Sequence, residues 1–273
     1  RDRQHGATVT APPVEPAGHD LLAGKIAVVT AAAGTGIGSA TARRLLAEGA
    51  TVVVSDAHER RLKVTAADLA GTLRADGTGS DEPLAVPCDV TDEDQVQALF
   101  VAGVEAHGRI DVVVNNAGLG GTADIVAMTD EQWDKVIDVT LTGTLRCTRA
   151  ALRILTRQGS GVIVNNASVL GWRAQAGQAH YAAAKAGVMA LTRSAAIEAA
   201  PYGVRVNAVA PSLAMHPFLA KVTSDELLDE LAQREAFGRP AEPWEIATVI
   251  AFLASDYSTY MTGEVVSVSS QHP

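Results

Sequence analysis

The stretch that decides the fold is Lys25-Ile-Ala-Val-Val-Thr30-Ala-Ala-Ala-Gly34-Thr-Gly36-Ile-Gly38, which runs into the helical pattern Ser39–Glu48. Ile26 to Val29 is apolar without alternation, which predicts a strand buried on both faces. Glycines then crowd the mouth of a helix. There they let the backbone approach a pyrophosphate, whose charge is met by free N–H groups and the helix dipole. The spacing departs from G-x-G-x-x-G, so a tight turn that merely packs helix on strand is the competing reading. Gly34, Thr35, Gly36, Ile37 and Gly38 are the candidate cofactor loop.

Outward from this unit the same alternation repeats. Strand-like runs fall at Thr51–Ser55, Leu84–Cys88, Asp111–Asn115, Gly161–Asn166, Val204–Val209 and Glu264–Val268. Helical patterns fall at Asp92–Ala106, Asp130–Leu155, His180–Ala199 and Pro243–Ala254. Strand–helix–strand repetition implies right-handed crossovers, hence an α/β fold: a three-layer, doubly wound parallel sheet of Rossmann type with about seven strands. No Pro/Gly/Ser-rich linker divides the 273 residues. A single domain is expected over 21–273, preceded by a flexible arm over 1–20 that carries Pro12, Pro13 and Pro16. Ligands of such sheets sit at the carboxyl ends of the strands.

The net charge of −9 argues against nucleic acid or an anionic membrane as a partner. No apolar run reaches about 18 residues, so no membrane span is expected. Cys88 and Cys147 lack metal-ligand spacing and read as reduced thiols of a cytoplasmic protein. No metal site is expected.

The chemistry is concentrated in Ser168, Tyr181 and Lys185. Tyr181 and Lys185, at i and i+4, project from one helix face. An ammonium so placed is expected to lower the phenol pKa, which suits proton exchange with a carbonyl or alcohol oxygen. Ser168 can hold that oxygen. Three strand ends offer cofactor contacts. Asp56 can bond both hydroxyls of an adenine-linked ribose and repel a 2′-phosphate, which favours NAD(H), with NADP(H) as the second option. Arg60 and Arg61 behind it read either as phosphate ligands or as a solvated face. Asp89, before Val90, can meet an adenine amino group or act as a helix N-cap. Asn116, Ala117 and Gly118, in Asn115-Asn-Ala-Gly118, can brace loops beside a ribose.

Together these motifs resemble the short-chain dehydrogenase/reductases of the single-domain type, over nearly all of Leu22 to Val268. The likeness also rests on Val206-Asn-Ala-Val-Ala-Pro211 and Met261-Thr-Gly-Glu264. Within the family the chain is similar to 3-oxoacyl-thioester reductases and to actinobacterial reductases of steroid-ring breakdown. The resemblance implies that Tyr181 is the general acid/base, that Lys185 holds the nicotinamide ribose and tunes Tyr181, and that Ser168 orients the substrate. It also implies a homotetramer, or at least a dimer.

Four departures stand out. The glycine loop has one extra residue between Thr30 and Gly36 and an alanine where the family's first glycine usually stands, so Gly34 is expected to take the tight turn. Thr140 replaces an asparagine that helps relay protons to the lysine. Ser212 replaces a glycine after Pro211. His216 replaces a hydroxyl residue that contacts the nicotinamide amide.

The segment 212–240 is expected to cover the site, with Leu213, Met215, Phe218 and Leu219 as candidate pocket lining. Arg173, beside Trp172, is a candidate for a substrate anion or an ordinary surface arginine. His180 should point about 100° away from Tyr181, in a supporting or interface role. Leu119 and Gly120 are expected to border the pocket. The expected activity is interconversion of a ketone and a secondary alcohol, on a 3-oxoacyl thioester or a bulky ring ketone. The rival reading is a nicotinamide-binding sensor or scaffold with little catalysis.

Overall fold

The computed structural model describes residues 13–76, 82–215 and 225–271. Among these, seven strands form one parallel sheet in the order β3-β2-β1-β4-β5-β6-β7. The strands are β1 Ile26–Val29, β2 Thr51–Asp56, β3 Leu84–Pro87, β4 Val112–Asn115, β5 Gly161–Asn166, β6 Val204–Pro211 and β7 Val265–Val268. The helices are α1 Ile37–Ala47, α2 Glu59–Asp76, α3 Glu93–His107, α4 Asp130–Ile137, α5 Gly143–Gln158, α6 Ala179–Ala199, α7 Asp225–Arg234 and α8 Pro243–Ala254. The unalternated strands are covered on both faces, as their composition requires. On one face Val29 packs with Leu45, Leu46, Ile246 and Ile250 of α1 and α8. On the other, Val28 packs with Phe100, Ala151, Leu155 and Ala196 of α3, α5 and α6.

The chain winds outward in opposite directions from β1 and β4, which lie side by side. Their carboxyl ends therefore open a crevice at the switch point, where such sheets bind ligands. One helix differs from its sequence pattern. The run expected as a single helix over Asp130–Leu155 is interrupted by a π-helical turn at Asp138–Thr142. Gly143 follows it, and a Cβ there would lie 2.6 Å from Val90 Cγ2. The close approach of the Val90 loop and the extra residue in the turn set the helix path together.

The described part of the expected flexible arm is tied to the end of α1. Arg44 donates to the carbonyls of Pro16 (2.5 Å) and Ala17 (3.4 Å), and it pairs with the buried Glu48. Glu48 in turn accepts from the backbone N–H of His19 (2.8 Å) and of Leu21 (3.2 Å). In the 212–240 segment, Leu213 and Met215 bond Ala241 through the backbone, and α7 follows; residues 216–224 lie outside the described residues.

Candidate active site

Thr30 closes β1, and its hydroxyl accepts from the N–H of Asn116 (3.0 Å) and of Ala117 (3.2 Å). The Asn116 amide donates to the carbonyls of Thr30 (3.2 Å) and Ala31 (3.1 Å) and accepts from Asn166 Nδ2 (2.9 Å). It thereby joins the loops after β1, β4 and β5. The tight turn expected at Gly34 is in fact shared: Gly34 has φ +89°, and Ala31 is also left-handed, at φ +49°. Alanine pays roughly 1–2 kcal/mol for that conformation. The bond from Asn116 to its carbonyl helps to hold it there. Gly38 sits where a Cβ would lie 2.5 Å from Asn116 Nδ2, so only glycine fits beneath this brace. Gly34 and Thr35 are exposed, and the Gly34 N–H bonds Thr65 Oγ1 (2.9 Å). Gly36 begins α1 with no side-chain cap and no acidic residue in the first turn. Ile37 and Gly38 lie in that first turn, whose N–H groups have no partner within the helix.

Asp56 ends β2, and its carboxylate accepts from Ala33 N (3.2 Å) and His58 N (2.8 Å). Burial pushes its pKa up, opposed by the Ala33 bond and by Arg61, whose guanidinium lies 3.9 Å away. A recess of about 300 Å³ lined by Gly34, Arg60, Arg61, Val64 and Thr65 lies alongside. Asp89 does not cap α3. Its Oδ1 accepts from the Thr91 N–H (2.9 Å) and hydroxyl (2.8 Å), whereas Asp92 is the N-cap and bonds Asp94 N and Gln95 N. Val90 packs against Gly143. An uncapped helix N-terminus, a glycine cradle and a carboxylate at the next strand end form a donor set that fits a dinucleotide.

Ser168 follows β5 and is buried; its hydroxyl accepts from Leu170 N (3.2 Å) and acts to lower the pKa of Tyr181. Lys185, one turn after Tyr181 on α6, is 3% exposed. Its Nζ lies 5.5 Å from the Tyr181 ring centroid and donates to the Asn166 carbonyl at 2.5 Å. The pKa directions correct the expectation from spacing. Burial pushes the Tyr181 phenol up to about 12, partly offset by Ser168, and pushes Lys185 down to about 8. Desolvation disfavours both charged forms and is the largest cause of each shift.

Thr140 lies in the π-helical turn and is fully buried. Its hydroxyl accepts from Leu119 N (2.9 Å) and donates to Leu119 O (3.2 Å). The one hydroxyl proton is thus directed at Leu119 rather than toward Lys185. The loop it anchors lies over the tyrosine: a Cβ at Gly120 would be 3.9 Å from Tyr181 Cδ2, and one at Gly121 would be 3.1 Å from His180 Nε2. A Cβ at Gly118 would be 3.2 Å from Lys185 Nζ. His180 is buried against this loop. Trp172 is exposed, and Arg173 donates to Gln271 Oε1 (2.5 Å). Pro211 ends β6, and Ser212 N bonds the Val268 carbonyl (3.2 Å). His216, Phe218 and Leu219 lie outside the described residues.

Sequence reasoning missed a buried amide ladder beneath the site. Asn115 and Asn165 face each other in register. Asn115 Nδ2 donates to Asn165 Oδ1 (2.8 Å) and Thr148 Oγ1 (3.0 Å), and Asn165 Nδ2 donates to Thr192 Oγ1 (2.8 Å). The available signal was the repeated tripeptide Asn-Asn-Ala at 115–117 and 165–167. Among the described residues no group of His, Cys, Asp and Glu could hold a metal, and no helix is long and apolar enough to cross a membrane.

A family model described as Enoyl-(Acyl carrier protein) reductase matches residues 31–270. The (5R,7aS)-5-hydroxy-7a-methyl-1-oxo-2,3,5,6,7,7a-hexahydro-1H-indene-carboxyl-CoA reductase of Mycobacterium tuberculosis is 66% identical over 262 residues, covering 96% of this chain and 98% of that one. The cis-4-hydroxycyclohexanecarboxylate dehydrogenase of Sinomonas cyclohexanicum is 44% identical, covering 91% and 96%. The crystal structure of a short chain dehydrogenase from Mycobacterium smegmatis superposes with a TM-score of 0.84 at 58% identity, covering 97% of this chain and all of that one. The doubly wound sheet, the glycine cradle and these matches agree: the chain belongs to the short-chain dehydrogenase/reductase family, and is an oxidoreductase that binds a nicotinamide cofactor and interconverts a ketone and a secondary alcohol.

Proposed function

We propose that the substrate is a bulky ring ketone, or its alcohol, carrying a carboxyl group as a thioester, and that NAD(H) is the preferred cofactor. The carrying observation is the convergence of the buried Ser168 and Lys185 on Tyr181: Lys185 Nζ lies 5.5 Å from its ring centroid, and Ser168 pulls its pKa down against burial. The two most informative relatives act, by their names, on a ring carboxyl-CoA and on a ring hydroxy acid, which supports the ring and carboxyl parts of the reading.

Ser168 holds the substrate oxygen. Tyr181 gives that oxygen a proton during reduction and takes it back during oxidation. A bound nicotinamide supplies or accepts the hydride. The ammonium of Lys185 stabilises negative charge developing on the phenol oxygen and meets the nicotinamide ribose. Its low pKa of about 8 suits a group that passes protons near neutrality. Thr140 holds Leu119 and Gly120 over Tyr181. Gly34 to Gly38 cradle the pyrophosphate, Asp56 holds the adenine ribose, Asp89 and Val90 flank the adenine, and Asn116, Ala117 and Gly118 flank the second ribose. Pro211 and Ser212 border the nicotinamide. Asp56 favours NAD(H), and Arg61 beside it leaves NADP(H) as the weaker option.

The reading also includes a cytoplasmic homotetramer or dimer. Phe252, at the end of α8, and Tyr257 after it expose apolar surface, which suits subunit packing through this end of the fold.

The test is Tyr181→Phe, assayed by NADH absorbance with 4-hydroxycyclohexanecarboxylate, its coenzyme A thioester and 3-oxoacyl-CoA. Turnover should fall by about a thousandfold while NADH binding is retained. Undiminished turnover would sink the mechanism, and turnover of 3-oxoacyl-CoA alone would sink the ring assignment.

A further inference from the structure

Glu235 is a carboxylate that the reaction does not use, yet it is only 3% exposed. It lies just past α7 and gathers donors from two distant segments. Its Oε2 accepts from Ser270 Oγ (2.7 Å), and its Oε1 accepts from Gln271 Nε2 (2.7 Å) and Leu213 N (3.4 Å). Backbone bonding continues the junction, with Ala236 N donating to Ser270 O (3.3 Å). The other end of the Gln271 amide accepts from Arg173 Nη1 (2.5 Å). Arg173 closes the short turn that begins at Ser168: Gly171 N bonds Ser168 O, and Arg173 N bonds Val169 O (both 2.9 Å).

We propose that Glu235 and Gln271 are positioning residues for Ser168. The carboxylate fixes the Gln271 amide in one orientation, and that amide holds Arg173 and so the turn carrying the serine. A glutamine suits this place because it must donate to a carboxylate and accept from a guanidinium at once. The buried carboxylate is thereby satisfied by neutral donors, and the amide links it to the guanidinium of Arg173. The segment after β6, the end of α7 and the C-terminal residues then act on the catalytic serine without touching substrate. This inference rests on Ser168 orienting the substrate.

The experiment compares Gln271→Ala, Gln271→Glu and the exchange Glu235→Gln/Gln271→Glu in the full chain, with Ser168→Ala beside them. The probe reaction is oxidation of 4-hydroxycyclohexanecarboxylate and its coenzyme A thioester. Misplacing the serine in Gln271→Ala should lower kcat about tenfold or more, with NADH Kd unchanged and the melting temperature lowered by only a few degrees. Gln271→Glu sets two carboxylates together and should be at least as impaired. The exchange variant restores one donor amide and one carboxylate, and should recover most of kcat. Wild-type kcat in Gln271→Ala would overturn the proposal, as would a folded exchange variant no better than Gln271→Glu. A loss of kcat matched by equal losses of NADH binding and melting temperature would reduce the junction to a structural one and overturn it too. An active Ser168→Ala would instead overturn the role of the serine.

Discussion

Replacing Lys185 by methionine should make the cofactor-free protein more stable while abolishing turnover. The lysine is 3% exposed, and burial lowers its pKa from 10.5 to about 8. At 1.36 kcal/mol per pH unit, keeping the ammonium in the fold at neutral pH costs about 3 kcal/mol. Methionine removes that cost but leaves the Asn166 carbonyl without the donor now at 2.5 Å, a loss of about 1 kcal/mol. The net gain is about 2 kcal/mol at about pH 7. The pH dependence is the sharper signature. Between about pH 8 and about pH 10.5 the unfolded chain keeps a proton on this lysine that the folded chain has released, so wild-type stability rises with pH across that window. The advantage of the variant should shrink by at most about 1.4 kcal/mol per pH unit there. Tyr181, raised to about 12, stays protonated in the fold throughout and does not confuse the comparison. Urea unfolding of both proteins at about pH 7, 8.5 and 10 measures the difference. An advantage that does not change with pH, or a variant less stable at neutral pH, would refute the reasoning.

Three other outcomes follow from the same geometry. Gly38→Ala should lose NADH binding and about 1–3 kcal/mol of stability, because its Cβ would meet Asn116 at 2.5 Å; calorimetry and thermal unfolding check both. Asp56→Ala should weaken NADH about tenfold or more and narrow its preference over NADPH, read from the two dissociation constants. Thr140→Val keeps the volume but leaves the Leu119 N–H and carbonyl unpaired. It should cost about 2 kcal/mol and raise the substrate KM, while Thr140→Ser restores both.

Much of this site can be read along the chain because its groups act where strands end. The unbroken Val and Ile runs marked the buried strands, and the glycines after β1 marked the helix mouth. Ser168, Tyr181 and Lys185 lie on a strand end and the helix after it. The π-helical turn was hidden because Asp130–Leu155 keeps a helical pattern throughout. Its break depends on Val90 and Leu119, which reach it from other loops. The left-handed Ala31 was equally hidden, since alanine does not advertise that conformation and Asn116, 85 residues away, helps to hold it.

The sequence by itself determined the doubly wound sheet and marked the candidate reacting groups, because periodicity and helix spacing are local properties. Tertiary structure decided the signs and the supports. Spacing placed a cation beside a phenol and suggested a lowered tyrosine pKa, but burial raised it, since desolvation depends on everything packed around the pair. Likewise only the folded chain brings Glu235 to Gln271 and Gln271 to Arg173, across 36 and 98 residues of sequence.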